Sequence, residues 1–297
     1  MTTEQTQTSE QQGGIPQQRE GDAIYAMGYS AQERERLIEQ GAIYGPSTRQ
    51  LLLDAGIGPG MRVLDVGCGV GEVSLLAAEL VGSGGVVVGV DTDHRALETA
   101  RARVRRAGPT AIEFVRGDVR DLSFDGPFDS AIGRVVLMYL GDPAEALRRI
   151  ARHVRPGGVI AFQETDIMNP PPYYPSMPLW ERIGDAFVET LRRAGVETRM
   201  GLKLYQAFQD AGLPAPALRV DTIVGTGPDS PLYRLMADNI RSVLPFMERL
   251  GVATAGDLQV GTLAERLRDE VVGARGVITW PPLVGAWART GGRISPS

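Results

Sequence analysis

Apolar residues in the first half of the chain alternate between short continuous runs and longer stretches in which they recur every three or four positions. The short runs are rich in β-branched residues and predict buried strands. These strands cover residues 63–66, 86–90, 112–115, 128–133 and 159–163. Helical spacing follows the first two strands, at residues 73–80 and 94–106. Strands that alternate with helices predict an α/β fold with a parallel sheet.

The second half of the chain has the spacing of a helical cap. Segments with helical periodicity cover residues 179–191, 202–213 and 232–247, and Pro245 is expected to kink the last of them. Residues 217–225 alternate as a strand, and residues 283–289 form a closing strand. The region between these two strands is therefore expected to be a helical insertion that helps to form a cap over the sheet.

These patterns divide the chain into seven segments. We expect a disordered tail (1–20), an N-terminal lid helix (21–44), a Rossmann-like α/β core (45–166), a cap segment (167–199), a core helix and strand (200–226), a helical cap insertion (227–275), and a closing strand with a C-terminal tail (276–297). The tail is rich in Gln, Thr and Ser, a composition typical of disorder. The sequence Ser30-Ala31-Gln32-Glu33 has the pattern of a capping box that opens the lid helix.

A glycine loop follows the first predicted strand directly, in the sequence Asp65-Val66-Gly67-Cys68-Gly69-Val70-Gly71. Such glycines let the chain turn sharply and let a ligand approach the backbone closely. A dinucleotide fingerprint needs a further glycine at position 72, where Glu72 stands, and a carboxylate there would repel a diphosphate. The sequence therefore disfavours a nicotinamide oxidoreductase and favours a cationic cofactor.

Through this loop the chain resembles the class I S-adenosylmethionine-dependent methyltransferases of the small-molecule type, including ubiquinone/menaquinone-type and natural-product enzymes. Further matches occur in the family's order over about residues 45–166, at Gly89-Val90-Asp91, Gly117-Asp118-Val119, Phe128-Asp129 and Arg155-Pro156-Gly157-Gly158. The resemblance implies S-adenosyl-L-methionine as the cofactor. It also implies a Rossmann-like, seven-stranded, mostly parallel sheet with helices on both faces and a helical cap.

Several residues are candidates for binding this cofactor. Asp91 lies twenty residues after the last glycine, the distance at which an acidic side chain meets ribose hydroxyls, the alternative being a cap for the next helix. The resemblance implies that Asp118 accepts from the adenine amino group, that the Val119 amide lies on the ring, and that Thr92 lies near its face. The loop itself contributes Asp65, Gly67, Cys68 and Gly69, and Cys68 is interpreted as a small lining residue, not a nucleophile.

Arg134 stands where the resemblance places the reactive sulfonium, just after the fourth strand. Its planar guanidinium suits the carboxylate of the cofactor. The alternative is an ion pair with Glu72 or Asp129.

The acceptor site is less defined than the cofactor site. Methyl transfer is an in-line displacement that depends mainly on positioning, although a phenol or alcohol acceptor would benefit from a general base. Glu164 and Tyr29 are the candidate catalytic residues. Candidates for the acceptor pocket are Tyr25, Tyr29, Asp166, Tyr173, Trp180, Tyr233 and Met236, with core packing as the alternative for the residues of the apolar stripes.

Composition narrows the class of protein. The chain has 297 residues, 43% of them apolar, with a net charge of -5, which argues against nucleic acids or anionic membranes as partners. Its one cysteine excludes an internal disulfide and a Cys-based metal cluster, so no metal is expected. We expect a cytoplasmic enzyme, because the sequence has no long apolar run and no signal-peptide pattern.

The sequence thus predicts a methyltransferase that acts on a small molecule and has a role in natural-product biosynthesis. Transfer to oxygen, nitrogen or carbon stays open, as does the oligomeric state, a homodimer being one alternative. A ligand-responsive protein that binds S-adenosylmethionine without turnover is the alternative function.

Overall fold

A seven-stranded sheet forms the centre of the computed structural model, which describes residues 21–23, 25, 27–28, 30–107, 111–167 and 172–291. Its strands are β1 (Arg62–Val66), β2 (Val86–Asp91), β3 (Ile112–Arg116), β4 (Phe128–Arg134), β5 (Val154–Thr165), β7 (Ala217–Asp221) and β10 (Leu283–Arg289). They lie in the order β3-β2-β1-β4-β5-β10-β7. The first five are parallel, and β10 runs antiparallel to both of its neighbours. The predicted Rossmann-like, mostly parallel sheet is confirmed.

Nine α-helices flank this sheet or build the cap in the described part of the chain. They are α1 (Ala31–Asp54), α2 (Glu72–Val81), α3 (His94–Ala107), α4 (Pro143–Ala151), α5 (Pro178–Arg193), α6 (Met200–Asp210), α7 (Leu232–Arg249), α8 (Ala255–Leu258) and α9 (Leu263–Gly273).

Two apolar layers cover the two faces of the sheet, because consecutive strand residues point to opposite sides. Val63 packs in one layer with Leu52 of α1 and Val73 of α2, whereas Leu64 belongs to the other layer, with Leu147 of α4 and Phe208 of α6. The central strands are therefore buried on both faces, as their continuous apolar runs predict.

Helix α1 joins the core to the cap. Its residues Leu51 and Leu52 are buried in the core, and it contacts both α2 and α7. The side chain of Ser30 caps it by accepting from the backbone N–H of Glu33 at 3.0 Å. The helix continues through Pro46, so the predicted boundary between a lid helix and the core at residues 44 and 45 falls inside one continuous helix.

A second, three-stranded antiparallel sheet ties the cap together. It consists of β6 (Tyr173–Tyr174), β9 (Val277–Thr279) and β8 (Val224–Thr226), in that order. The prediction of a single strand at residues 217–225 is wrong. Two strands cover this region, because β7 ends at Asp221 in the central sheet and β8 pairs within the cap. Alternation along the chain shows that a segment is extended, but not which sheet it joins.

The glycine loop after β1 is held by Asp65, which is 1% exposed. Its Oδ2 accepts from the hydroxyl of Ser74 at 2.5 Å, and the carboxyl also accepts from the Ser74 backbone N–H. Since the N-cap residue of α2, Gly71, has no side chain to offer, Asp65 satisfies an amide of the first turn in its place. Burial raises the pKa of Asp65 to about 7.

The loop after β4 is held by Glu164, which is fully buried on β5. Its carboxylate accepts from the backbone N–H groups of Val136 at 2.9 Å, Leu137 at 2.8 Å and Met138 at 3.4 Å. The loop begins with Val135 at a φ of 56°, a strained conformation for a β-branched residue. Burial raises the pKa of Glu164 to about 7. The carboxylate thus fixes the backbone beside the strained residue.

Replacing Glu164 by Gln should destabilise the protein. An amide keeps one acceptor oxygen and turns N–H groups toward backbone donors, so we expect a loss of ~1–3 kcal/mol in the free energy of unfolding at alkaline pH. Urea denaturation measures this loss. The matched control is Glu79→Gln, since the Glu79 side chain is 63% exposed. Equal stability of the two variants would show that the three amides do not depend on Glu164.

The pH dependence of stability should report the buried Asp65. Its pKa is about 7 in the folded protein, against about 4 in an unfolded chain. Between these values the folded protein holds the extra proton, so the contribution of Asp65 to stability is full below about pH 4 and is lost as the pH rises through about 7. Asn cannot titrate. The free energy of unfolding of Asp65→Asn relative to wild type should therefore rise by at least ~1 kcal/mol over this interval.

Denaturant titrations of both proteins across this pH range measure the difference. The control is Asp125→Asn, in an exposed turn, whose difference from wild type should not follow the same course. A difference for Asp65→Asn that stays flat with pH would contradict the assignment.

Candidate active site

A cavity of about 310 Å³ lies at the carboxyl ends of β1, β2 and β4, beneath the cap. Ligands bind at this edge in open α/β sheets, and the volume suits a small-molecule site. The glycine loop approaches the loop after β4 closely on one side. A Cβ at Gly67, whose φ is 64°, would lie 2.4 Å from a methyl group of Val136. Glycine is therefore required at this wall of the cavity.

Asp91 lines the cavity at the end of β2 and ties the strand to the glycine loop. Its Oδ2 accepts from the backbone N–H of Gly69 at 2.8 Å, and its Oδ1 accepts from that of Asp93 at 2.9 Å. Burial raises the pKa of Asp91. Asp93 itself accepts from the backbone N–H of Arg95 at the start of α3. The capping role considered as an alternative for Asp91 is thus filled by Asp93.

A network of ion pairs lies at the end of the cavity near β3. The Nη2 of Arg120 donates at 2.6 Å both to Asp118 and to Asp22 of the segment before α1. Asp22 also accepts from the backbone N–H of Gly141 at 2.9 Å. Arg120 and Asp22 line the cavity, and both were missed by sequence reasoning. A sequence separation of 98 residues leaves no local signal for this pair.

The smaller cofactor candidates also line the cavity. These are Gly67, Cys68, Gly69, Thr92 and Val119. Burial raises the pKa of the Cys68 thiol well above its usual value, so that it stays protonated and unreactive.

Arg134 lines the cavity half-buried, with no carboxylate within ion-pair distance among the described residues. The two alternative partners are taken, because Glu72 pairs with Arg103, and Asp129 pairs with Arg155 at 2.7 Å. The predicted alternative of an ion pair with either carboxylate is therefore wrong. Burial lowers the pKa of Arg134, yet a guanidinium stays charged at neutral pH.

The position of Arg134 is set by α1. Its Nη1 donates to the hydroxyl of Thr48 at 3.0 Å, and that hydroxyl donates to the side chain of Gln163 on β5 at 2.7 Å. The guanidinium carbon lies 5.7 Å from the ring centroid of Tyr44. Arg134 thus presents a fixed cation to the cavity, with N–H groups left over.

The cap side of the cavity is lined by one face of α1. Glu33, Arg36, Leu37, Gln40 and Tyr44 follow one another at helical spacing along it. This half of α1, part of the predicted lid helix, is rich in charged residues, yet Glu33 is 1% and Arg36 4% exposed.

Aromatic residues complete the cap side. The ring of Tyr25 meets that of Tyr139 edge-on at 5.1 Å, and the indole N–H of Trp280 donates to the hydroxyl of Tyr44 at 2.6 Å. Burial raises the pKa of Tyr25, Tyr44 and Tyr139, so their hydroxyls stay protonated. Of these residues, only Tyr25 was a sequence candidate.

Those of the remaining predicted residues that the structure describes do not line the cavity. Asp65 and Glu164 lie behind its loops and are committed to backbone amides, so the structure gives Glu164 a loop-holding position in place of the predicted general base. Asp166 pairs with Arg199 at 2.7 Å, and the hydroxyl of Tyr233 donates to the carbonyl of Gly227 at 2.7 Å. Tyr173 lies in β6.

Trp180 and Met236 are also outside the cavity, buried in the cap core. The physical reason is that the apolar stripes of α5 and α7 face each other and α9. Tyr29 lies outside the described residues. Within the described ranges, no group of three or more His, Cys, Asp or Glu could hold a metal ion. Nor is any described helix long and apolar enough to cross a membrane.

Comparisons with known proteins agree with this geometry. A family model described as a methyltransferase domain matches residues 57–212. A protein of Streptomyces fradiae, named as an uncharacterised protein of a transposon, is 32% identical over 58% of this chain and 49% of its own length. The 2-phytyl-1,4-naphtoquinone methyltransferase of Synechococcus elongatus is 40% identical over 35% of this chain and 46% of its own length. This chain thus aligns with about half the length of each of these two relatives.

The fold has counterparts among solved structures. A Bacillus halodurans protein assigned to the methyltransferases superposes with a TM-score of 0.55, at 18% identity, over 83% of this chain and 99% of its own length. Membership of the family identifies S-adenosylmethionine as the cofactor, as the sequence predicts. Because the family model covers more than half of the chain and includes the glycine loop and the strands around the cavity, the protein belongs to the methyltransferase-domain family.

Proposed function

We propose that this protein is an S-adenosylmethionine-dependent methyltransferase that transfers a methyl group to a small-molecule acceptor by in-line displacement. The observation that carries the proposal is one continuous cavity with two different ends. One end is lined by all of the predicted cofactor residues except Asp65, and the other by aromatic and polar residues of the cap. A donor and an acceptor can therefore meet in one cavity. The Synechococcus relative, named for a naphthoquinone, supports a small acceptor.

The adenosine end is assigned to Asp91, Asp118 and Val119. Each carboxylate oxygen has two lone pairs, so Asp91 can accept from ribose hydroxyls while it holds Gly69 and Asp93. Asp118 is assigned to the adenine amino group by its position in the cavity, where it also accepts from the backbone N–H and the guanidinium of Arg120. Thr92 and the glycine loop supply the surrounding walls.

Arg134 is assigned to the carboxylate of the cofactor. A half-buried cation without an anionic partner is costly, and a carboxylate ligand would complete its hydrogen bonds bidentately. Thr48 fixes the guanidinium in place before the ligand arrives.

The protein contributes mainly alignment to the reaction. When bound, S-adenosylmethionine supplies a methyl group already activated by a sulfonium. The described cavity offers no free base, because its carboxylates are held by arginines or backbone amides and its tyrosines stay protonated. We infer that the loops fixed by Asp65 and Glu164 position the methyl donor while the cap excludes water. Positioning of this kind can supply ~7–11 kcal/mol.

A role in natural-product biosynthesis and a cytoplasmic location stay predictions from the sequence. The same applies to the homodimer.

Calorimetric titration with S-adenosylhomocysteine tests the cofactor site. Wild type should bind saturably, and Asp91→Ala should bind at least ~10-fold more weakly, because it loses charge-assisted hydrogen bonds. Asp269→Ala is the control, since the Asp269 side chain is 68% exposed on α9, outside the cavity. Undiminished binding by Asp91→Ala would contradict the assignment of Asp91 to the cofactor site.

Turnover separates an enzyme from a ligand-responsive binding protein. Wild type is incubated with methyl-labelled cofactor and a metabolite extract, and mass spectrometry follows labelled products and released S-adenosylhomocysteine. Saturable binding without any labelled product would favour the alternative function.

The carboxylate role of Arg134 is tested with two ligands that share the adenosine. Arg134→Met should lose ~10-fold or more in affinity for S-adenosylhomocysteine. It should keep its affinity for methylthioadenosine, which lacks the amino-acid group. Arg155→Met, whose side chain lies outside the cavity, is the control for loss of an arginine. Equal weakening of both ligands by Arg134→Met would instead mean that the variant disturbs the whole site.

A further inference from the structure

A buried polar network at the cap end of the cavity has no role in cofactor binding as proposed above. The guanidinium of Arg36 donates from Nε and Nη2 to Glu33, at 2.7 and 2.6 Å, and from Nη1 to the side-chain carbonyl of Asn239 at 2.9 Å. Tyr25 donates its hydroxyl to Glu33 at 2.8 Å. Asn239, on α7, is only 3% exposed, and all four residues line the cavity.

The hydrogen bonds within this network leave donors unused and few acceptors. Both oxygens of Glu33 accept from Arg36, and one of them also accepts from Tyr25. The one oxygen of Asn239 is taken by Arg36, whereas its amide N–H groups have no partner among the described residues. Arg36 also has N–H groups left over. The network therefore has N–H donors available to a ligand, and it favours a ligand that carries a hydrogen-bond acceptor.

The unused amide of Asn239 faces the cavity. Among the described residues, the side-chain polar atoms sealed from solvent without a partner belong to Ser130, Trp180 and Ser242. The Asn239 nitrogen is not one of them, although the residue is almost wholly buried. Its remaining exposure is thus to the cavity that it lines.

The walls around these donors are flat and aromatic. Tyr25 and Tyr139 form one edge-on pair, and Trp280 is held in place by its bond to Tyr44. Such walls suit a planar ring. The charge of Arg36 is balanced by Glu33, so the network favours an oxygen with partial negative charge without requiring a full anion.

We propose that the cap end binds a planar, conjugated acceptor molecule through a carbonyl or phenolate oxygen, which accepts from the Asn239 amide and from Arg36. Asn239 is then a specificity-determining residue for the acceptor. This inference rests on the proposed function and specifies the chemistry of its acceptor.

The test uses para-nitrophenol, whose ionised form is yellow, titrated into the protein with and without saturating S-adenosylhomocysteine. Para-nitrotoluene keeps the ring and nitro group without the phenol oxygen, and para-nitrobenzylamine replaces that oxygen by a cation. Wild type should bind the phenol with an increase of its yellow form, and more tightly than either analogue. Asn239→Asp, which replaces the amide donor by an acceptor, and Asn239→Leu should bind the phenol ~10-fold more weakly.

Ile240→Val is the matched control, since Ile240 is the next residue on α7, fully buried and outside the cavity. Calorimetry with S-adenosylhomocysteine shows whether the Asn239 variants keep an intact cofactor site. Undiminished phenol binding by Asn239→Asp would overturn the proposal. Tighter binding of para-nitrotoluene or para-nitrobenzylamine than of the phenol by wild type would overturn it as well. If wild type does not bind S-adenosylhomocysteine, the proposed function is contradicted instead. The phenol titration in the absence of S-adenosylhomocysteine would still decide the acceptor chemistry.

Discussion

Carboxylates at the ends of parallel strands hold the backbone of the site in place. Where a parallel strand turns into a loop or helix, backbone N–H groups lose their partners and must find others. Asp65 supplies one at the start of α2, Asp91 binds the glycine loop, and Glu164 binds three amides after β4. The walls of the cavity thus depend on acidic groups that are buried or nearly so.

This arrangement decides the charge of the cavity. Burial raises the pKa of Asp65 and Glu164 to about 7, so the groups nearest the loops are the ones whose charge is most costly. The carboxylates that face the cavity are mostly paired with arginines, and Arg134 alone among those discussed presents a cation without an anion. A zwitterionic donor with a carboxylate and a cationic centre matches such a surface better than a diphosphate does.

That the residues at the proposed cofactor end lie together in one cavity could be predicted because their signals are local. A strand, a glycine loop and a helix follow one another within twenty residues, Asp91 ends β2, and Asp118 lies two residues after the end of β3. What the sequence does not show is the partner of a strand-end carboxylate. Asp65 and Glu164 were predicted to meet ligands, yet both bind backbone amides, and only tertiary structure brings Glu164 under a loop 28 residues away in sequence.

The cap half could not be predicted, because its helices have apolar stripes that pack against one another. Met236 and Trp180 belong to those stripes. Their size and apolarity predicted that they line the pocket, but in the structure they form the cap core. The residue of α7 that lines the cavity is the polar Asn239, which a search for apolar spacing passes over. Pro46 does not end α1, which continues through it, although a proline inside a helix usually kinks or breaks it.

The two halves are nevertheless mechanically connected through α1. Its Thr48 fixes Arg134 at the cofactor end, while Arg36, three turns earlier, organises the donors at the cap end. Because one helix carries both groups, the distance between the proposed sites for the methyl donor and the acceptor is set largely by its packing on the sheet. Under the proposed function, substitutions in α7 or around Trp280 can then change which acceptor fits without moving the groups proposed to hold the cofactor.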